Sequence, residues 1–287
     1  MTKLKYLIKK KLPYLFFFLK KLRSLQFKII IYTNKTYIHD QGINVGIKKF
    51  EETEKLVFDK INNAENSHKL NFLNCGSALG QINFFTNDIN TASGKSQIDL
   101  FFSRYNYFTL DLMNLDLNSI QKKSTEVYFS DIQKKKKVNK NIFFNYPNDF
   151  HAGHIVHNMS EIFKNDEYKN KFDFIYTEDV IEHVPNPFIF SSNLLSMLKE
   201  GGVIVCMCPF SYPYHKDPED YFRFTHKGLE MLFNSNEKYN IKLLKNGYDL
   251  DHRRENRNDD LSRDTFGGWR ENWWTFIAIQ KISNTHS

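Results

Sequence analysis

Apolar and polar positions fall in blocks along this chain. Apolar runs stand at "LNFLNC" (70–75), "YNYFTLD" (105–111), "NIFFNY" (141–146), "FDFIYT" (172–177) and "GVIVCMC" (202–208). Their length suits strands buried on both faces. Helical spacing is clearest from Pro187 to Lys199, with Phe188, Leu194, Leu195 and Leu198, and Gly201 and Gly202 follow as a helix stop. Two more strand candidates, 239–249 and 273–282, close the chain. Strands alternating with helices predict a doubly wound α/β domain, a mostly parallel sheet with helices on both faces. Its ligand belongs at the carboxyl ends of the strands. Residues 86–98 and 118–140 are polar and read as loops, and Lys134 to Lys137 as a solvated run.

Charge changes the picture at the amino end. Residues 1–39 hold ten of the 40 Lys and Arg and none of the 33 Asp and Glu. The rest of the chain is left with 30 basic and 33 acidic residues, a charge of −3 beneath the overall +7. A slightly acidic body argues against a broad nucleic-acid surface, which needs clustered positive charge. Residues 1–39 are therefore read as a basic arm and 40–287 as the domain. Within the arm, Leu15, Phe18, Leu22, Leu25 and Ile29 mark one helical face, with Lys20, Lys21 and Arg23 elsewhere. The apolar run is too short to span a bilayer and lacks a cleavage site for a secretory signal. Two readings stay open: a helix on an anionic membrane surface, or one packed on the body or a second subunit. Three cysteines, two of them on one face of a strand (Cys206 and Cys208), fit a reducing compartment. A cytoplasmic protein is expected, with peripheral contact at the inner membrane face under the first reading.

Three stretches carry candidate chemistry. "NFLNCGSALGQ" (71–81) runs a strand into a turn with Gly76 and Gly80, and Ala78 where a second cradle glycine would stand. Such a turn brings backbone N–H groups against a ligand. Asp111 ends the second strand, where an acid can accept hydrogen bonds from a ribose. "PFSYPYHKDPEDYFRFTHKGLEMLF" (209–233) gathers His215, Asp217, Asp220, Tyr221, Arg223 and His226 just after a buried strand. Asp220 and Arg223 suit either a structural ion pair or substrate contact. No metal-ligand set is read from the sequence.

Residues 172–210 run from strand through Glu182-His183 and a helix to a Leu-Lys-x-Gly-Gly turn and a second strand. This stretch closely resembles the class I S-adenosylmethionine-dependent methyltransferases of the type 11 branch, and the likeness extends over about residues 69–282. The resemblance implies a Rossmann-like, seven-stranded sheet with an antiparallel last strand, and S-adenosylmethionine as cofactor. It places Asn74, Gly76, Ser77 and Gly80 in the first cofactor motif, with Asn74 replacing an acid. Asp111 then meets the ribose, Asp149 and Phe150 the adenine, and Thr177 and Glu178 the region of the methyl group. The 209–233 segment, with "GGWRENWW" (267–274), resembles small methyltransferases of surface-polysaccharide biosynthesis. That likeness implies a small-molecule or glycan acceptor methylated on a hydroxyl. His215 is the candidate base, Asp220 its orienter or a substrate ligand, and Arg223 an anion holder. The alternatives are a non-catalytic binding module, which would explain Asn74 and Ala78, and a nicotinamide-dependent oxidoreductase. A nucleic-acid methyltransferase is disfavoured, because "TEDV" (177–180) ends the fourth strand where an Asn/Asp-Pro-Pro-Tyr/Phe motif would be expected.

Overall fold

The computed structural model describes residues 12, 14, 15, 18, 21, 22, 25, 46–65, 68–76, 84–85, 92–112, 151–212, 214–215, 219–249 and 273–283. The chain divides into two compact units, Met1–Gly46 and Ile47–Ser287. In the first unit, Tyr14, Leu15, Phe18, Lys21, Leu22 and Leu25 are helical and exposed. Ile29 lies outside the described residues.

Among the described residues the sheet is built on strands β1 (Gly46–Ile47), β2 (Leu70–Cys75), β3 (Tyr105–Asp111), β4 (His151–Val156), β5 (Phe172–Glu178), β6 (Leu198–Ser211), β7 (Ile241–Asp249) and β8 (Trp273–Lys281). The helices are α1 (Lys49–Asn62), α2 (Ala92–Arg104), α3 (Pro187–Met197) and α4 (His226–Asn234). The sheet order is β1-β7-β8-β6-β5-β2-β3-β4. Strands β2 to β6 pair in parallel, and the last strand, β8, is antiparallel to both its neighbours. The two-residue β1 makes this an eight-stranded sheet rather than the expected seven.

Two apolar clusters cover the two faces. One joins Phe190, Leu194 and Leu195 of α3 and Leu229, Leu232 and Phe233 of α4 to Leu73, Ile175, Ile204 and Cys206. The other joins Val57 and Ile61 of α1 and Ile98, Phe101 and Phe102 of α2 to Phe72, Phe174 and Val205. The second face accounts for much of the aromatic content: Phe72 and Phe174 stack at 5.2 Å, and Phe101 and Tyr105 meet Phe72 edge-on. Cys75, Cys206 and Cys208 are free and lie in the first cluster.

Three sequence expectations shift. Residues 92–98, read as loop, open α2. Their polar composition is overridden because Ile98, Phe101 and Phe102 bury on the aromatic face, and tertiary burial outweighs weak helix propensity. Helix α3 stops at Met197, before the glycine pair. Lys171 N–H then caps the Met197 carbonyl at 2.9 Å, and Gly201, at φ 72°, turns the chain inside β6. The strand beside β3 is His151–Val156, a segment too polar to be recognised from its pattern. The 141–146 run lies outside the described residues.

Candidate active site

Strand order and register assemble the site. Cys75 is paired with Leu110 on one side and Thr177 on the other. The next residues, Gly76, Asp111 and Glu178, therefore stand at neighbouring strand tips along the carboxyl edge. Beyond them Asp111 pairs with Val156 and Glu178 with Met207. The chain builds outward from β2 to β3 and β4, then returns to β5 on the other side. Such a reversal opens a crevice at the carboxyl ends, where ligands bind in doubly wound sheets.

Gly76 turns the chain at φ 76°, and its N–H donates to the Leu110 carbonyl at 2.7 Å. A Cβ there would lie 2.1 Å from Val180 Cγ2, so a close approach of backbone, not flexibility, requires glycine. Asp111 is half-buried. Its Oδ1 accepts from the Leu112 N–H at 2.7 Å, and its carbonyl accepts from the His157 N–H at 3.0 Å. Asn74 is buried and donates its amide to the Tyr107 hydroxyl at 2.8 Å. Thr177 is buried in the sheet between Cys75 and Cys206, one residue short of the rim. Ser77, Gly80, Asp149 and Phe150 lie outside the described residues. The carboxyl end of the strand beside β3 is Val156, so His157 is the residue next to Asp111 that sequence reasoning missed.

Glu178 is held from two sides. The ammonium of Lys49, itself buried, forms an ion pair with Oε1, and the Tyr176 hydroxyl donates to Oε2 at 2.6 Å. Lys49 also lies 4.5 Å from the ring centroid of Trp274. Burial and the Glu178 carboxylate push the Tyr176 pKa well above its ordinary value, keeping that hydroxyl a donor. Asp179 takes a left-handed backbone, φ 56°, and accepts from Trp274 Nε1 at 2.6 Å. Burial, then the neighbouring Glu178, push its pKa up to about 6. A non-glycine residue in this region costs on the order of 1–3 kcal/mol and tends to mark functional sites.

Past Asp179, the single turn Ile181–His183 buries Glu182 completely. Both its carboxyl oxygens lack a hydrogen-bond partner. Burial, then Asp179, push its pKa up to about 9, so the group is neutral at pH 7. The Glu182 carbonyl accepts from Tyr221 N–H at 2.8 Å, and His183 Nδ1 lies 2.6 Å from the Glu219 carbonyl. These bonds bind the 219–222 segment to the turn after β5.

That segment carries the predicted catalytic group. Asp220 accepts from the His215 N–H at 2.9 Å, and the same oxygen lies 3.1 Å from His215 Nδ1. The Arg223 guanidinium grips both Asp220 oxygens and donates to the Phe222 carbonyl at 2.7 Å. Burial alone would raise the Asp220 pKa, but Arg223 and the His215 N–H outweigh it and hold the group below the usual carboxylate range. The structure thus brings His215, Asp220 and Arg223 together, with the Arg223 fork engaged by Asp220. His226 instead occupies the first turn of α4, and Asp217 lies outside the described residues.

Residues 52–258 match the sequence profile of a family described as "Methyltransferase domain". The chain belongs to the methyltransferase domain family. No curated protein matches it. Among solved structures, this methyltransferase-family chain is similar to the CurJ carbon methyltransferase, at 11% identity and TM-score 0.46, over 82% of this chain and 54% of that one. It is similar to phosphoethanolamine N-methyltransferase 2 of Haemonchus contortus, at 12% identity and TM-score 0.42, over 81% and 53%. A putative sarcosine dimethylglycine methyltransferase of Galdieria sulphuraria gives 13% identity and TM-score 0.44, over 86% and 97%. The chain spans about half the length of the first two.

Sequence reasoning missed Lys49, while Asp179 and Trp274 stood in quoted segments without a role of their own. Glu182 and His183 were noticed as a pattern but given no role.

Proposed function

We propose that this chain is an enzyme that methylates a hydroxyl of a small-molecule or glycan acceptor, with S-adenosylmethionine as methyl donor. The observation that carries the reading is the row Asp111, Gly76 and Glu178 on neighbouring strand tips, in a chain of the methyltransferase domain family. The residues fit the cofactor: Gly76 leaves backbone exposed where a side chain would collide with Val180, and Asp111 stands at the adjacent tip. The cofactor supplies a methyl group already activated on a sulfonium, so the protein's task is chiefly orientation. Gly76, with Ser77 and Gly80, would face its methionine part and Asp111 its ribose. Asn74, in place of an acid, donates its amide to the Tyr107 hydroxyl.

The acceptor's hydroxyl is activated at His215. Asp220 and Arg223 serve as positioning residues that set the His215 ring. Lys49 and Tyr176 hold the Glu178 carboxyl group in place beside the proposed methyl position. A surface-polysaccharide precursor is the acceptor class that the 209–233 segment suggests. The exposed Leu15, Phe18, Leu22 and Leu25 and the ten positive charges of residues 1–39 support peripheral contact with an anionic membrane. Among the described residues no helix is long and apolar enough to cross a membrane.

Calorimetric titration tests the reading directly. Saturable binding of S-adenosylmethionine, no binding of NAD, and release of S-adenosylhomocysteine with a hydroxylated glycan acceptor are expected. Binding without any turnover across nucleotide-activated and lipid-linked sugars would favour a non-catalytic module.

A further inference from the structure

Glu182, His183 and His215 converge from two separate loops, one after β5 and one after β6. One donor atom from each lies within 4.8 Å of the others. Glu182 Oε1 is 3.6 Å from His183 Nε2 and 3.9 Å from His215 Nε2. These separations are too long for hydrogen bonds. They are close to the roughly 3.4 Å expected between two donors that each sit about 2.1 Å from one tetrahedral ion. The carboxyl group is fully enclosed, and neither of its oxygens has a hydrogen-bond partner. A buried carboxyl group left so is costly unless something else occupies the gap it faces.

The outer partner of the His183 imidazole adds to the pattern. His183 Nδ1 lies 2.6 Å from the Glu219 carbonyl, which can only accept, so Nδ1 carries a proton and, in the neutral tautomer, the lone pair is on Nε2. His215 Nδ1 lies 3.1 Å from the Asp220 carboxylate, a close charge contact rather than a hydrogen bond, and Arg223 fixes that carboxylate. A carbonyl or carboxylate on the far ring nitrogen is how proteins orient metal-ligating histidines.

We propose that Glu182, His183 and His215 bind one divalent first-row transition-metal ion at the carboxyl edge of the sheet. Two imidazoles and one carboxylate favour ions such as Zn²⁺, Co²⁺ or Fe²⁺ over Mg²⁺ or Ca²⁺, which prefer all-oxygen shells. Three protein ligands leave at least one position open, and with Nε2 on the ion His215 would act on the acceptor through the ion rather than as a free base. An acceptor oxygen taken there would have its proton loosened by the ion, which narrows the acceptor to an oxygen-bearing group such as a hydroxyl or a vicinal diol. Binding of the ion stands on the geometry alone; only its use on an acceptor rests on the methyltransferase reading.

The test uses the tag-free full chain, stripped with a chelator and dialysed, then titrated with Co²⁺ by visible absorption and with Zn²⁺ by calorimetry. One ion per chain is expected, with the visible bands of a low-coordinate Co²⁺ site. Glu182→Gln keeps the side-chain volume and replaces a carboxyl group that is neutral at pH 7 in the ion-free chain with a neutral amide that cannot ionise to hold the ion, so the variant should fold. It should weaken the ion at least about a hundredfold, the upper end of what losing even an outer partner does. Asp220→Asn, which breaks the Arg223 ion pair and with it the support of the His215 loop without touching a ligand atom, should weaken it roughly tenfold. No saturable uptake by the folded chain, or unchanged affinity in Glu182→Gln, would overturn the proposal. S-adenosylmethionine affinity, measured on the same samples, separates the two readings. A chain that binds the cofactor but no ion loses only the metal site, and one that binds the ion but no cofactor loses only the methyltransferase assignment.

Discussion

Lys49, in the first turn of α1, and Glu178, at the tip of β5, form a buried ion pair across 129 positions of sequence. Lys49 is 2% exposed, so its ammonium has little water to replace the carboxylate. Removing one partner of such a pair leaves an uncompensated charge, which costs about 3–5 kcal/mol. Lys49→Met is expected to lower unfolding free energy in urea by that amount. The double variant Lys49→Met/Glu178→Gln should recover most of it. A double variant as unstable as Lys49→Met alone would show that the loss comes from packing and not from charge.

Gly76 is constrained twice, by its positive φ and by the Val180 side chain. Gly76→Ala should destabilise the protein by roughly 1–3 kcal/mol and weaken S-adenosylmethionine more than it weakens the fold. Trimming the obstacle with Val180→Ala should restore stability only in part, because the φ strain remains. Full restoration would show that the steric contact alone matters. Thermal melts with and without cofactor give both quantities.

Asp111→Ala removes the carboxylate proposed to accept two ribose hydroxyls. A loss of about 2–3 kcal/mol in S-adenosylmethionine binding is expected, as for charge-assisted hydrogen bonds. The variant should fold, since Asp111 is half-buried at a strand tip. Unchanged affinity by calorimetry would remove Asp111 from the site.

The parts of this fold that could be read from sequence share a physical cause. Strands β2, β3, β5 and β6 are covered on both faces, so each reads as a short continuous apolar run. The β4 segment "HAGHIV" lies at the sheet edge with only one neighbour, and an edge strand tolerates the polar residues that hide it. The strand-tip positions of Gly76 and Asp111 were legible because the one follows such a run and the other ends one. Lys49–Glu178 was not, since nothing in the spacing of residues 129 apart announces contact. The meeting of His215 with Glu182 and His183 depends on how two loops return over the same edge, which local pattern does not encode. His215 was picked by its position after β6, while Glu182 became conspicuous only once its burial was known.

His226 makes stability pH-dependent in a predictable direction. Burial lowers its pKa below 6.5, Lys227 adds to the shift, and the helix amino end at α4 also disfavours a cation. A folded pKa below the unfolded one means that the unfolded chain takes up the proton first. Stability is therefore full above pH 6.5 and falls as the pH drops from there toward the folded value. His226→Gln should flatten this limb of the urea midpoint against pH. A limb unchanged in the variant would assign the dependence to another group.

The amino-terminal unit invites a separate experiment, because its charge and its exposed apolar positions point the same way. Leu15, Phe18, Leu22 and Leu25 are helical and uncovered, in a stretch where residues 1–39 hold ten basic residues and no acidic one. Near an anionic surface each basic residue contributes about 1 kcal/mol, and burying the apolar face adds to that. The full chain should sediment with vesicles containing anionic lipid, should ignore neutral vesicles, and should release as salt rises and shortens the Debye length. Deleting residues 1–35 should abolish sedimentation while cofactor affinity stays unchanged. A truncated chain that precipitates or loses S-adenosylmethionine binding would instead place those apolar residues in a protein interface, and would end the membrane reading.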